Sequence, residues 1–383
     1  IDYSFKKFAT IILLTIIVWS FLFSVVIYRK SHKPGFEELA IALNLKGRDL
    51  KHKTSESFKT IFIAPFLWLR ANLSGGEVPH ISIDIKFKHL QKLIAKRKQA
   101  LESSVLIQGP DDYVPAEIRF QDESYKIKIR LKGDHTDHLE GDKWSFRIHV
   151  KGDKHLLGMN RFSIQHPRTR NFESEILFFE ALKKEGVLVP RYFFVEVSVN
   201  GKNIGLMALE EHFSKELLEV QQRREGVIVR FDEEFFWADK VFDNYKIAKI
   251  TPFRSGKVAR SIKLSADLAI AKSLLKSFVR GHLRPSEVFD PNLMAKFIAV
   301  ADVWGSSHVL RWHNMRFYFN PITALLEPIG FDADLHKESI DVPYALEEPI
   351  VSAILASDPA IKSIYQRTLE RLANEMEEDN TEK

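Results

Sequence analysis

The pattern of apolar and polar positions divides the chain into a charge-free opening run, a strand-rich part and a helix-rich part. Phe8 to Tyr28 is 21 residues without a charge, flanked by Lys6 and Lys7 before it and by Arg29, Lys30 and Lys33 after it. A helix of that length crosses a hydrocarbon core of ~30 Å, and no small-x-small cleavage site follows, so a retained transmembrane helix is expected behind a short tail, residues 1–7. Basic residues at both ends leave the side of the membrane taken by the remaining chain open. Residues 29–75 read as a juxtamembrane linker, and Ser74-Gly75-Gly76 marks where the folded body begins.

From residue 76 to about 235 period-two alternation prevails. Ile81, Ile83, Ile85 and Phe87 alternate with polar residues, and Leu90, Leu93, Ile94 and Leu101 then fall at helical spacing among lysines. Tyr125, Ile127, Ile129 and Leu131 alternate with Lys126, Lys128, Arg130 and Lys132, a strand with one cationic face. Gly133-Asp134-His135 follows at once, a tight loop in which a lysine and backbone N–H groups can meet a phosphate. Trp144 to Val150 forms another strand, with Lys143, Arg147 and His149 sharing its polar face. Asn171 to Glu185 reads as a helix whose Glu173, Glu175 and Glu180 can pair with one of these cations. Asn200-Gly201 between two apolar runs signals a hairpin with a type I′ turn, ending at Glu210 and Glu211. Gly226 to Asp232 is a further strand, and helices dominate from 236 to 383.

Composition adds exclusions. The 383 residues include no cysteine, which removes disulfides, thiolate metal sites and a cysteine nucleophile. A net charge of +5, falling to +4 without the first 28 residues, is too small to argue for nucleic acid and suits anionic phosphates or a membrane surface.

The chemistry concentrates between Asp302 and Asp334. Met315 to Phe319 and Leu325 to Phe331 read as the two strands of a hairpin around Asn320-Pro321, which brings Asn314 near Asp332 and Asp334. An amide and two carboxylates are oxygen ligands of the kind magnesium takes together with water and phosphate.

Lys132-Gly133, the run from Lys143 to Ile148, Val195 to Glu211, Gly226 to Arg230, the W-H-N-M-R-F-Y-F run and P-I-G-F-D-A-D together resemble the spore-coat protein H (CotH) family of atypical kinase-like proteins, over about residues 80 to 340. The resemblance implies an α+β, bilobal, protein-kinase-like fold behind the transmembrane helix, with residues 76–235 as the N-lobe-like part and 236–383 as the C-lobe-like part. It further implies ATP and Mg2+ as cofactors, a protein or glycan hydroxyl as acceptor, and a place in the bacterial cell envelope. By the same resemblance Asn314, Asp332 and Asp334 hold the metal, and Lys132, Gly133, Lys143, Arg147, Glu211 and Arg230 line the nucleotide side.

One position departs from that family. Its catalytic aspartate precedes the H-N pair by a few residues, and here the parallel segment ends in His308. His308 is then the candidate base, with Asp302 as the alternative, since imidazole takes a proton near neutral pH. A catalytically inactive pseudokinase scaffold is a second reading. A metallohydrolase built from His308, His313, Asp332 and Asp334 is a third, although no H-E-x-x-H spacing supports it.

Overall fold

The structure, a computed structural model, describes residues 78–133, 136–233, 244–333 and 347–381. The chain divides into two units, 1–77 and 78–383, and all described residues belong to the second.

The alternating segments close on themselves. β1 (His80–Asp84), β2 (Val114–Phe120), β3 (Glu123–Leu131), β4 (Phe146–Val150), β5 (Arg161–Gln165), β6 (Tyr192–Val199) and β7 (Lys202–Glu211) form a barrel in the order β1-β2-β3-β4-β5-β7-β6. Neighbours are antiparallel except at the closure, where β1 runs parallel to β6 with Ile81 opposite Val197. Ile81, Ile83, Ile127, Ile129, Ile148 and Phe162 are completely buried in its core. Helix α1 (Phe87–Ser103) buries Leu93 and Ala100 beside β2 and β3 and ends at Ser104, which adopts the left-handed conformation. The hairpin between β6 and β7 turns at Asn200 and Gly201, with φ of 50° and 79°, the positive angles that a type I′ turn needs.

α2 (Ser174–Lys184) lies between β5 and β6 in sequence, and α3 (Lys215–Val220) follows β7. A second sheet, ordered β11-β10-β8-β9, comprises β8 (Ile228–Phe231), β9 (Ile250–Pro252), β10 (Arg316–Asn320) and β11 (Leu325–Ile329). Around it run α4 (Ser255–Ala259), α5 (Ile262–Val279), α6 (Pro291–Val303), α7 (Ser307–Leu310), α8 (Pro349–Ser357) and α9 (Pro359–Thr381). α6 starts where Asp290 accepts the Leu293 N–H at 2.9 Å, ahead of Pro291 at the first helical position. Phe178 and Phe179 of α2, Phe297 of α6 and Phe317 of β10 meet in the larger core. Burying each such side chain contributes about 1.5–3 kcal/mol.

This architecture corrects the expected fold. The chain does not form a kinase-like pair of lobes; its strand-rich part is a closed seven-stranded barrel accompanied by a separate four-stranded sheet. Alternation reports which side chains face inward, and an open sheet and a barrel share that period, so the parallel closure of β1 on β6 had no local signal. No helix among the described residues is long and apolar enough to cross a membrane. The run 8–28, read as a transmembrane helix, lies outside the described residues.

Candidate functional site

A cavity of about 650 Å3 is lined on one side by the outer wall of the barrel and on the other by the second sheet and its loops. Lys132 continues the outward-facing phase of β3 and is 7% exposed. Its Nζ donates to Glu210 of β7 and to Gln165 of β5. Burial pushes the Lys132 amine down to about 8, although Glu210 pulls the other way. Glu210 stays below the ordinary carboxylate value because Lys132 and Arg170 outweigh its own burial. Glu211 is in the opposite phase, shared with buried Leu209, and receives Arg191 through Nη2 at 2.6 Å and Nε at 2.9 Å.

The loop leaving β11 faces this pair. Asp332 has φ of 62°, a left-handed conformation that an aspartate tolerates better than most residues. Fully buried Glu175 of α2 accepts the N–H groups of Asp332 at 3.1 Å and of Ala333 at 3.0 Å, which clamps the bend. Arg170, at the end of the 3-10 turn Pro167–Arg170, places Nη1 2.9 Å from Asp332 Oδ1 and Nε 3.7 Å from Glu175. Burial pushes Glu175 up to about 8 against the pull of Arg170. Asp332 goes the other way: burial raises it, but Arg170 and His308 together hold it well below the usual carboxylate range.

His308 of α7 joins two of the expected ligands. Its Nε2 lies 3.5 Å from Asp332 Oδ2, and its backbone carbonyl accepts the Asn314 side-chain amide at 3.0 Å. The Asn314 oxygen has no hydrogen-bond donor among the described residues. His313 is 4% exposed, packs edge-on to Trp312 at 5.6 Å and lies 3.8 Å from Glu233. Burial pushes it down to about 4 despite Glu233, so it is neutral at physiological pH.

Lys132, Gly133, Arg147, Glu211, Arg230, His308, Asn314 and Asp332 thus line one cavity. Two expected residues do not. Lys143 donates to the Leu206 carbonyl at 3.0 Å, and Asp302 accepts the Tyr365 hydroxyl at 2.6 Å; neither borders the cavity. Asp334 lies outside the described residues, as do Asp134 and His135. Gln165, Arg170 and Arg316 went unread in the sequence. Glu175 was foreseen as an ion-pair partner for a cation, but not Arg170 as that cation. Glu210 and Glu211 are adjacent, and only the barrel's inside–outside phase tells which one reaches Lys132.

The cavity is large enough for a polyphosphate, and its lining is balanced in charge. Six cations and six carboxylates line it, the cations suited to phosphate oxygens. For magnesium, the free Asn314 oxygen and Asp332 are two oxygen donors of the right type, which is how that ion is commonly held alongside water and phosphate. No group of three or more His, Asp or Glu side chains among the described residues is arranged to hold a metal, and Asp334 of the histidine–aspartate hydrolase cluster lies outside them. Compared with known proteins, the chain matches no family model and no curated protein.

Proposed function

We propose that this chain is an ATP-dependent phosphotransferase that moves the γ-phosphoryl group to a hydroxyl on a protein or glycan, with the cavity between the barrel and the second sheet as its site. The observation that carries the reading is His308, which touches Asn314 through its backbone and Asp332 through its ring while Lys132 lines the same cavity. Asn314 and Asp332 are the residues that would hold magnesium, which when bound would neutralise charge on the phosphate oxygens.

Lys132, oriented by Glu210 and Gln165, and Arg147 bind and orient phosphate oxygens. His308 takes the acceptor hydroxyl's proton at Nδ1 while its Nε2–H faces Asp332, which stabilises the imidazolium. The acceptor oxygen bonds to the γ-phosphorus, the bond to the bridging oxygen breaks, and ADP leaves. The full chain incubated with Mg-ATP is expected to form ADP, and Asp332→Asn to abolish it; equal rates for the two proteins would refute the reading.

A second reading, a nucleotide-binding scaffold without turnover, is favoured by one observation: both Asp332 oxygens already face cations, Arg170 and His308. Stabilisation by Mg-ATP with no ADP formed would select it.

A further inference from the structure

Arg316 is a buried cation with no ion-pair partner among the described residues. It sits at the start of β10, directly across the ladder from Arg230 of β8, and is 4% exposed. Phe331 covers its guanidinium at 4.7 Å, with Phe253 at 5.7 Å and Phe213 at 6.0 Å. Nη1 donates to the carbonyls of His313 at 2.6 Å and Met315 at 3.2 Å, which fixes the plane of the fork. Nε is buried without an acceptor, and no carboxylate among the described residues lies within ion-pair distance.

The acids whose fields reach it are Glu233, Asp332 and Glu210, and each is committed elsewhere. Glu233 takes Arg230 at 2.7 Å, Asp332 takes Arg170 at 2.9 Å, and Glu210 takes Lys132. Burial, reinforced by neighbouring Arg230, pushes Arg316 down to about 9. A buried cation without a counter-ion costs several kcal/mol, and aromatic faces return only part of that. Arg316 borders the cavity, so an anion held there would lie within reach of its charge.

We infer that Arg316, together with Arg230, forms an oxyanion subsite on the sheet side of the cavity that binds a phosphate group. Nη1 is held by two carbonyls and Nε is buried, so Nη2 is the guanidinium nitrogen left to meet a phosphate oxygen, with Arg230 lining the same cavity beside it. The inference goes beyond the transfer reaction, because a chain that never turns over ATP still needs a counter-ion at this position.

The test is thermal unfolding of the full chain in inorganic phosphate against chloride of equal ionic strength, with Mg-ATP and metal-free ATP as further arms. Wild type is expected to gain stability in phosphate. Arg316→Met keeps apolar packing under Phe331 and removes the charge, so its ligand-free Tm should equal or exceed wild type while the phosphate gain disappears. Arg316→Lys keeps the charge without the fork and should weaken phosphate binding about tenfold or more. A gain with inorganic phosphate alone assigns the subsite to free phosphate or a phosphorylated acceptor; a gain only with ATP assigns it to the nucleotide. No gain with any of these ligands in wild type, an undiminished gain in Arg316→Met, or a Tm for that variant well below wild type would overturn the inference, the last because it makes the arginine structural. Phosphate binding without ADP formation would sink the phosphotransferase reading and leave this one standing.

Discussion

Arg170 places Nη1 2.9 Å from Asp332 Oδ1, so the carboxylate expected to take a divalent cation already carries a guanidinium. Glu175 sits on the same arginine at 3.7 Å and holds the Asp332 backbone bend, so Arg170 is shared by a fully buried acid and a half-buried one. Arg170→Met removes it and leaves both acids facing each other. The expected loss is about 3–5 kcal/mol, the usual cost of stripping one member from a buried ion pair. It should register as a lower denaturant midpoint with an unchanged slope; a loss below 1 kcal/mol would show that Arg170 is dispensable.

Lys132 gives the site a pH signature. Its folded value of about 8 lies below the ordinary 10.5 of an unfolded lysine. Below pH 8 both states hold the proton and the cost of the buried charge is constant. Between pH 8 and 10.5 the unfolded chain binds a proton that the folded chain has lost, so stability rises with pH by up to about 1.4 kcal/mol per unit. Lys132→Arg stays charged throughout and should lack this rise. Phosphate affinity of the wild type should fall over the same interval, because the neutral amine no longer attracts an anion. Parallel stability profiles for the two proteins would contradict the assignment.

Gly133 has φ of +110°, and a Cβ there would stand 2.5 Å from His138 Cβ. Gly133→Ala should cost about 1–3 kcal/mol through strain and displacement, and should weaken ATP binding because the loop borders the cavity. Gly201 also has positive φ, at 79°, but nothing lies within 4 Å of a Cβ added there. Gly201→Ala is the matched control, expected to lose stability through strain alone and to keep its affinity for ATP. Urea unfolding and ATP titration of both variants decide the matter.

His308 and Asp302 are separable as bases. His308→Gln should lower ADP formation about 10²–10⁴-fold with little change in Mg-ATP affinity. Asp302→Asn should leave turnover intact, because its carboxylate is occupied by the Tyr365 hydroxyl away from the cavity. The opposite ranking in a steady-state assay would move the base to Asp302.

Much of the site was legible because its residues sit beside strong local signals. The β3 face, with Tyr125, Ile127, Ile129 and Leu131 all buried, predicts the outward phase that carries Lys132. The hairpin from Arg316 to Ile329 brings Asn314 and Asp332 to one cavity, as its two apolar runs suggested. What stayed hidden depends on long-range geometry. Glu175 reaches Asp332 across 157 residues, and β1 closes on β6 across more than a hundred, distances at which periodicity carries no information. Arg316 also went unread, because nothing local shows that all five residues of its strand are buried.

The most direct measurement is calorimetric titration of Mg-ATP into the full chain and into Asn314→Ala, with and without magnesium. The account predicts one nucleotide bound per chain, weakened about tenfold or more by Asn314→Ala when magnesium is present and unchanged by it in EDTA. No binding by wild type, or equal affinities for both proteins in magnesium, would contradict a metal–triphosphate site between Asn314 and Asp332.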